Sequence, residues 1–302
     1  MAILATVIRL LRTMSGGFLM GVADLIPGVS GGTIALVLGI YERLVASISE
    51  GSSALGSILR GDFDGFKTHL RRVEWLFLLP LLAGILLAVI TLASLLESQL
   101  EERPTLMAAA FLGLVAGSVL VAWRLIRVPA ARHLVWAALV GVALFVLLGL
   151  GQETTVRDPS ILAFFGSGAL AICAMILPGI SGSFILVMIG MYTEVLGAVN
   201  DRDLVALAAT GAGCVIGLAL FSTVLNWSLE RHHDLVMAAM VGLMLGSLRV
   251  LWPWPGGTNT TDLGAPSGDV GVPIVLALIG LAVVVTVELI SARLTSTGEQ
   301  SG

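Results

Sequence analysis

The sequence predicts an all-α polytopic membrane protein made of inverted-topology repeats, each with one re-entrant helical hairpin and three transmembrane helices. Three observations carry that prediction. Of 302 residues, 57% are hydrophobic and 12% charged, with a mean hydropathy of +1.01, whereas a soluble domain carries about 25% charged residues. Six apolar runs reach the ~20 residues that a spanning helix needs. Two polar turns, Asp24-Leu-Ile-Pro-Gly-Val-Ser-Gly-Gly-Thr33 and Pro178-Gly-Ile-Ser-Gly-Ser-Phe184, interrupt the other apolar stretches 151 positions apart.

The first repeat covers residues 1–150. Its opening 15 residues carry Arg9 and Arg12 but no small-residue cleavage site, so they predict a short interfacial helix and not a signal peptide. A re-entrant hairpin is expected over 16–47, because arms 16–26 and 31–41 are too short to cross. Residues 48–74 are an insertion. Leu55, Ile58, Leu59, Phe63, Phe66 and Leu70 recur there at helical spacing beside Lys67, Arg71 and Arg72, which predicts a helix on the cytoplasmic surface near anionic headgroups. Spans follow at 75–96, 105–123 and 133–150.

The second repeat covers 151–302. A hairpin is expected over 161–199, with arms 161–177 and 182–193, then spans at 203–226, 235–252 and 271–290. Residues 253–270, rich in Pro and Gly, form a connecting loop.

The halves match residue by residue. Pro27, Gly28, Ser30, Gly31, Gly39 and Tyr41 return at an offset of 151 as Pro178, Gly179, Ser181, Gly182, Gly190 and Tyr192. At an offset of 129, Gly84, Gly113, Gly117, Ser118 and Trp123 return as Gly213, Gly242, Gly246, Ser247 and Trp252. With one hairpin and three crossings, an odd number, each half sits upside-down relative to the other. That is the plan of secondary transporters whose substrate binds near the midplane between broken helices. Counting Lys and Arg along this topology puts twelve on the side of the N-terminus and four on the other, so both termini are cytoplasmic. Orientation does not decide re-entrance; only segment length argues for it.

In each turn Pro ends the incoming helix and the glycines allow a tight bend. The next helix starts near Gly31 or Gly182 with unpaired N–H groups, which must be buried in protein or face a wet cavity. Ser30 and Ser181 stand at N-cap positions, with Thr33 and Ser183 in reach. Helix N-termini with hydroxyls bind anions, and two converging ends would suit a phosphate held by Gly28, Ser30, Gly31, Gly32, Thr33, Gly179, Ser181, Gly182 and Ser183. The bland alternative is a serine-capped kink used for packing.

Asp24 has Met175 as its counterpart. An acid at membrane depth is costly and usually functional, so Asp24 is a candidate coupling or gating residue for H⁺ or Na⁺; the alternative is a carboxylate that braces the hairpin. Gly113/Gly117, Gly213/Gly217 and Gly242/Gly246 are spaced for close helix contact. Glu288 reads as a residue snorkelling from the last crossing.

Other chemistries find little support. Gly28-Val-Ser-Gly31 and Gly179-Ile-Ser-Gly182 fit the Gly-x-Ser-Gly pattern of intramembrane serine proteases, which need a base near the serine. His69, His133, His232 and His233 all lie in or beside predicted cytoplasmic loops. Cys173 and Cys214 have no metal spacing. Neither cofactor, metal nor nucleic acid is expected, and the oligomeric state stays open.

Gly21-Val-Ala-Asp-Leu-Ile-Pro-Gly-Val-Ser-Gly-Gly-Thr33 with Gly39-Ile-Tyr-Glu42, and Met175-Ile-Leu-Pro-Gly-Ile-Ser-Gly-Ser-Phe184 with Gly190-Met-Tyr192, resemble one membrane family. It was formerly catalogued as a domain of unknown function and is associated with undecaprenyl-phosphate translocation in bacteria; the resemblance spans about residues 10–290. It implies a non-enzymatic plasma-membrane flippase returning polyprenyl phosphate from the outer to the inner leaflet for surface-glycan synthesis, by alternating access. The residues alone imply an inverted-repeat transporter with a midplane anion site, and an ion-coupled transporter of a small soluble anion is the alternative.

Overall fold

The computed structural model describes residues 2–26, 29–150, 156, 159–259 and 262–299, with side chains between residues 6 and 289. Every regular element among the described residues is a helix, with no strands. Among the described residues, five helices are long and apolar enough to cross a membrane: α5 (Trp75–Glu102), α6 (Pro104–Arg124), α7 (Ala131–Leu150), α11 (Leu204–Ser247) and the stretch Gly271–Leu289 of α12 (Gly271–Glu299). The others are α1 (Ala2–Asp24), α2 (Gly31–Val37), α3 (Tyr41–Leu59), α4 (Phe63–Arg72), α8 (Ile161–Ile176), α9 (Gly182–Met188) and α10 (Tyr192–Asn200). Leu76, Ile90, Leu139, Val142, Leu220 and Leu278 all point outward and are exposed, as expected where the surrounding solvent is hydrocarbon.

Glycines set how the long helices meet, and the same contacts recur in both halves. Gly17 of α1 abuts the backbone of Leu81, and Gly84 of α5 abuts Met14 and Phe18. At offsets of 151 and 129, Gly168 of α8 abuts Thr210 and Gly213 of α11 abuts Phe165 and Ala169. The next layer is exchanged between halves. Gly113 and Gly117 of α6 lie against Ala277, Leu281 and Val284 of α12, while Gly242 and Gly246 of α11 lie against Ala137, Gly141 and Leu144 of α7. In every case a Cβ would run into a backbone or branched side chain of the facing helix, so these glycines are there for close approach.

α1 and α5 run parallel, because Gly17 meets Leu81 and Gly21 meets Ile85 and Ala88. α1 therefore ends, at Asp24, near the middle of the 28-residue α5. α2 then returns beside α1, with Leu38 and Ile40 back against Gly16. α8 and α9 repeat this path. Gly182 lies against Met175 and Ala171, and the Val156 N–H donates to the Gly190 carbonyl at 3.2 Å, joining entry to exit. α9 and α10 meet at a 111° bend.

Two expectations need correction. Residues 2–24 are one helix, not an interfacial piece followed by a separate arm. The predicted spans 203–226 and 235–252 fall on the two arms of α11, which meet at a non-helical break at His232 with φ −133° and ψ 39°. Its counterpart by the 129 offset, Arg103, has φ −138° and ψ 52° and separates α5 from α6. Both arms of α11 touch the second hairpin, at Gly217–Ala169 before the break and Met244–Gly179 after it, so the helix doubles back at His232. Finally, the 48–74 insertion is part of two helices. α4 has no buried residue, as a surface helix should, but α3 packs on α11, with Glu42 at His233 and the Ser52 hydroxyl donating to the Ala219 carbonyl at 2.8 Å.

Candidate functional site

The two hairpin tips touch. The Ser30 hydroxyl donates to the Met175 carbonyl at 2.8 Å, across 145 residues of sequence. The Gly179 N–H donates to Thr33 Oγ1 at 2.9 Å, and the Tyr41 hydroxyl donates to the Ile176 carbonyl at 3.1 Å. Gly32 is pressed against the Ile176 carbonyl so closely that a Cβ would lie 2.6 Å from its oxygen. Ser30 and Thr33 are each 1% exposed. Donors buried to this degree would be costly unpaired, and each tip supplies the other's partners.

The first tip also satisfies itself. Ser30 caps α2 by accepting the Gly32 N–H at 3.1 Å, and Asp24 Oδ1 accepts the Gly31 N–H at 2.7 Å. A carboxylate of the chain's own thus lies at the helix start where an external anion would bind. Asp24 does brace the hairpin. That geometry also makes its carboxylate a direct competitor for any anion reaching Gly31.

The second tip differs at the same position. Met175 lies over Gly182 as Asp24 lies over Gly31, and a thioether is at best a weak acceptor. Ser181 forms no cap bond to α9; its hydroxyl shares a hydrogen bond with Ser183 Oγ at 2.8 Å instead. Ser183 and Met175 are exposed. Beside them Gly179, Ser181, Phe184 and Ser247 line a cavity of ≈ 10 Å³, room for about one water. One tip is therefore closed by a carboxylate and by its partner, while at the other Ser181 is buried and Ser183 is exposed.

Of the residues expected to form a phosphate cradle, Ser30, Gly31, Gly32, Thr33 and Gly179 are brought together at the junction, and Ser181, Gly182 and Ser183 follow directly from it. Gly28, with Pro27, lies outside the described residues. Tyr41 was read only as part of the repeat, yet it is 3% exposed and bonds across the junction. Its recurrence as Tyr192 was the available signal, although Tyr192 is 41% exposed and makes no matching contact. Glu288 does not snorkel alone: its carboxylate accepts from Arg124 at 3.0 Å. Arg43 donates to Glu74 at 2.8 Å and holds that carboxyl below the usual range. Among the described residues no group of His, Cys, Asp and Glu could hold a metal.

A family model described as "Undecaprenyl phosphate translocase-like" matches residues 20–265. A polyprenyl-phosphate transporter of Vibrio cholerae serotype O1 is 42% identical over 244 residues, 81% of this chain and 78% of that one. A polyprenyl-phosphate transporter of Staphylococcus aureus is 32% identical over 296 residues, 92% of this chain and 95% of that one. No solved structure matches significantly.

Proposed function

Because the chain belongs to the undecaprenyl phosphate translocase-like family, we propose that it moves polyprenyl phosphate across the plasma membrane, passing the headgroup between the two hairpin tips while the tail stays in lipid. The family is described as one of translocases, which supports reading Ser30 and Ser181 as ligands of the headgroup and not as nucleophiles.

In this reading the halves are inverted repeats. Both hairpins are re-entrant, the first from the cytoplasm and the second from outside, and the tips meet near the midplane. The recurrence of helix contacts at constant offsets supports the repeat, and the return of Ile40 to Gly16 supports re-entrance. Both termini are cytoplasmic, following the distribution of Lys and Arg.

The observation that carries the mechanism is the inequality of the tips. A phosphate arriving from the outer leaflet meets Gly179, Ser181, Gly182 and Ser183, where no carboxylate repels it. To go further it must replace the Ser30–Met175 and Thr33–Gly179 bonds and displace Asp24 from the Gly31 N–H. Neutralising Asp24 with H⁺, or drawing it aside with Na⁺, frees that N–H and passes the headgroup to Ser30, Gly31, Gly32 and Thr33. The cation enters when the anion does, which gives coupling. Alternating access is then the making and breaking of tip-to-tip bonds, and the carrier returns to the inner leaflet for another round of cell-wall synthesis.

The test uses vesicles containing the purified protein and a fluorescent polyprenyl phosphate whose outer-leaflet fraction is bleached by a membrane-impermeant quencher. Wild type should expose the inner-leaflet pool to bleaching, and Ser181→Ala with Ser183→Ala should slow this at least ~10-fold, as expected on losing charge-assisted hydrogen bonds worth about 1.5–3 kcal/mol. Lipid movement at the wild-type rate in that variant sinks the cradle. Orthophosphate uptake without lipid movement identifies a soluble-anion transporter instead.

A further inference from the structure

A second cluster of cations lies away from the tips, where the end of α6, the start of α7 and the break in α11 meet. Arg127, Arg132, Arg231 and His133 line a cavity there of ≈ 500 Å³. Two carboxylates also line it, and both are engaged. Asp234 accepts the Arg127 and Val128 N–H groups at 3.0 and 3.1 Å and contacts the His233 ring at 3.1 Å. Glu230 accepts from Asn226 Nδ2 at 2.9 Å.

The guanidinium groups have no such partners. Arg43, Arg72 and Arg124 each pair with a glutamate, whereas Arg127, Arg132 and Arg231 pair with no carboxylate among the described residues. Arg231 instead lies 5.5 Å over the Trp227 ring. His133 is 2% exposed, and its Nε2 accepts from Arg132 Nε at 3.2 Å. That bond assigns the proton of the neutral ring to Nδ1, and Nδ1 has no hydrogen-bond partner. A buried donor without an acceptor, beside three guanidiniums that have no carboxylate partner among the described residues, matches an oxyanion with several acceptor oxygens.

We propose that this cavity binds a phosphate monoester, held by Arg127, Arg132 and Arg231 with the His133 Nδ1–H as a further donor. Guanidinium forks fit phosphoryl oxygens in pairs. The site lies beyond the apolar run of α11, beside Trp227, a residue type enriched at headgroup depth. The phosphoryl group can therefore come from a lipid headgroup or from a soluble phosphate. This site stands on its own residues and not on the tip assignment, so either can fail alone.

The experiment measures binding of inorganic phosphate and of farnesyl phosphate to the full chain in detergent micelles. Arg132→Gln with Arg231→Gln should weaken binding at least about tenfold, a loss of about 1.4 kcal/mol, while the exposed Arg60→Gln should not. Farnesyl phosphate binding that the double variant weakens points to a lipid headgroup, and inorganic phosphate binding that it weakens points to a soluble source; either supports the site. In the unaltered protein, phosphate should also slow phenylglyoxal modification of Arg127, Arg132 and Arg231 relative to Arg60. Equal modification with and without phosphate, binding of neither probe, or unchanged affinity in the double variant overturns the proposal.

Discussion

Asp24 Oδ1 accepts the Gly31 N–H at 2.7 Å, while at the equivalent place in the other half Met175 lies over Gly182. Two hairpins alike in glycine and serine pattern thus differ in whether the helix start already holds a negative charge. In the proposed mechanism that difference gives the two ends of the path unequal roles.

Converting the second tip to the first should therefore stop the cycle. Met175→Asp puts a carboxylate over both helix starts, and lipid movement should fall at least ~10-fold by like-charge repulsion. Asp24→Asn keeps the shape and removes the charge. Lipid movement should then lose its dependence on H⁺ or Na⁺, measured in vesicles with imposed gradients of each.

Thr33→Val keeps the shape of the side chain but deletes the acceptor for the Gly179 N–H. The unpaired buried donor should lower stability by about 1–3 kcal/mol, measured by reversible unfolding in mixed micelles. Tyr41→Phe removes a donor to the Ile176 carbonyl and should cost about 0.5–1.5 kcal/mol.

The glycine contacts predict paired sensitivity. Gly113→Val and Gly242→Val should each destabilise by about 1–3 kcal/mol, because each would overpack a helix contact. Gly51, with nothing within 4 Å of a Cβ, has space for one. Gly51→Ala should stabilise its helix by roughly 0.5–1 kcal/mol.

Asp234 fastens the end of α6 to α11. The Arg127 N–H, then His233 and the Val128 N–H, hold its carboxyl down at about 2, from 3.8. A depressed acid contributes stability that is complete above the unfolded value and lost as pH falls through the folded one. The contribution should thus be present above pH 3.8 and disappear as the pH falls toward about 2. Asp234→Asn should remove that acid-range slope, read from melting temperature against pH.

Much of the fold was legible because hydropathy alone marks α5, α6, α7 and α12. The errors have particular causes. Gly16 and Gly17 looked like a helix boundary, since glycine is a poor helix former, but Gly17 is needed for the approach to Leu81. The charges from Glu230 to Asp234 did mark the break at His232, although helical turns run up to it on either side. At the tips, the motif and its recurrence were visible, as was the lack of an acid at Met175. What periodicity could not give was the partner of each donor. Ser30 bonds a carbonyl 145 residues away, and Gly31 bonds a side chain on the preceding arm.

In the proposed mechanism the headgroup travels between the tips. The most direct measurement is photocrosslinking with a polyprenyl phosphate carrying a diazirine next to the phosphate, with adducts mapped by peptide mass spectrometry. Adducts are expected on residues 30–33 and 181–183, competed by unlabelled polyprenyl phosphate. Adducts confined to the outward faces of α5, α7 and α12 would contradict it.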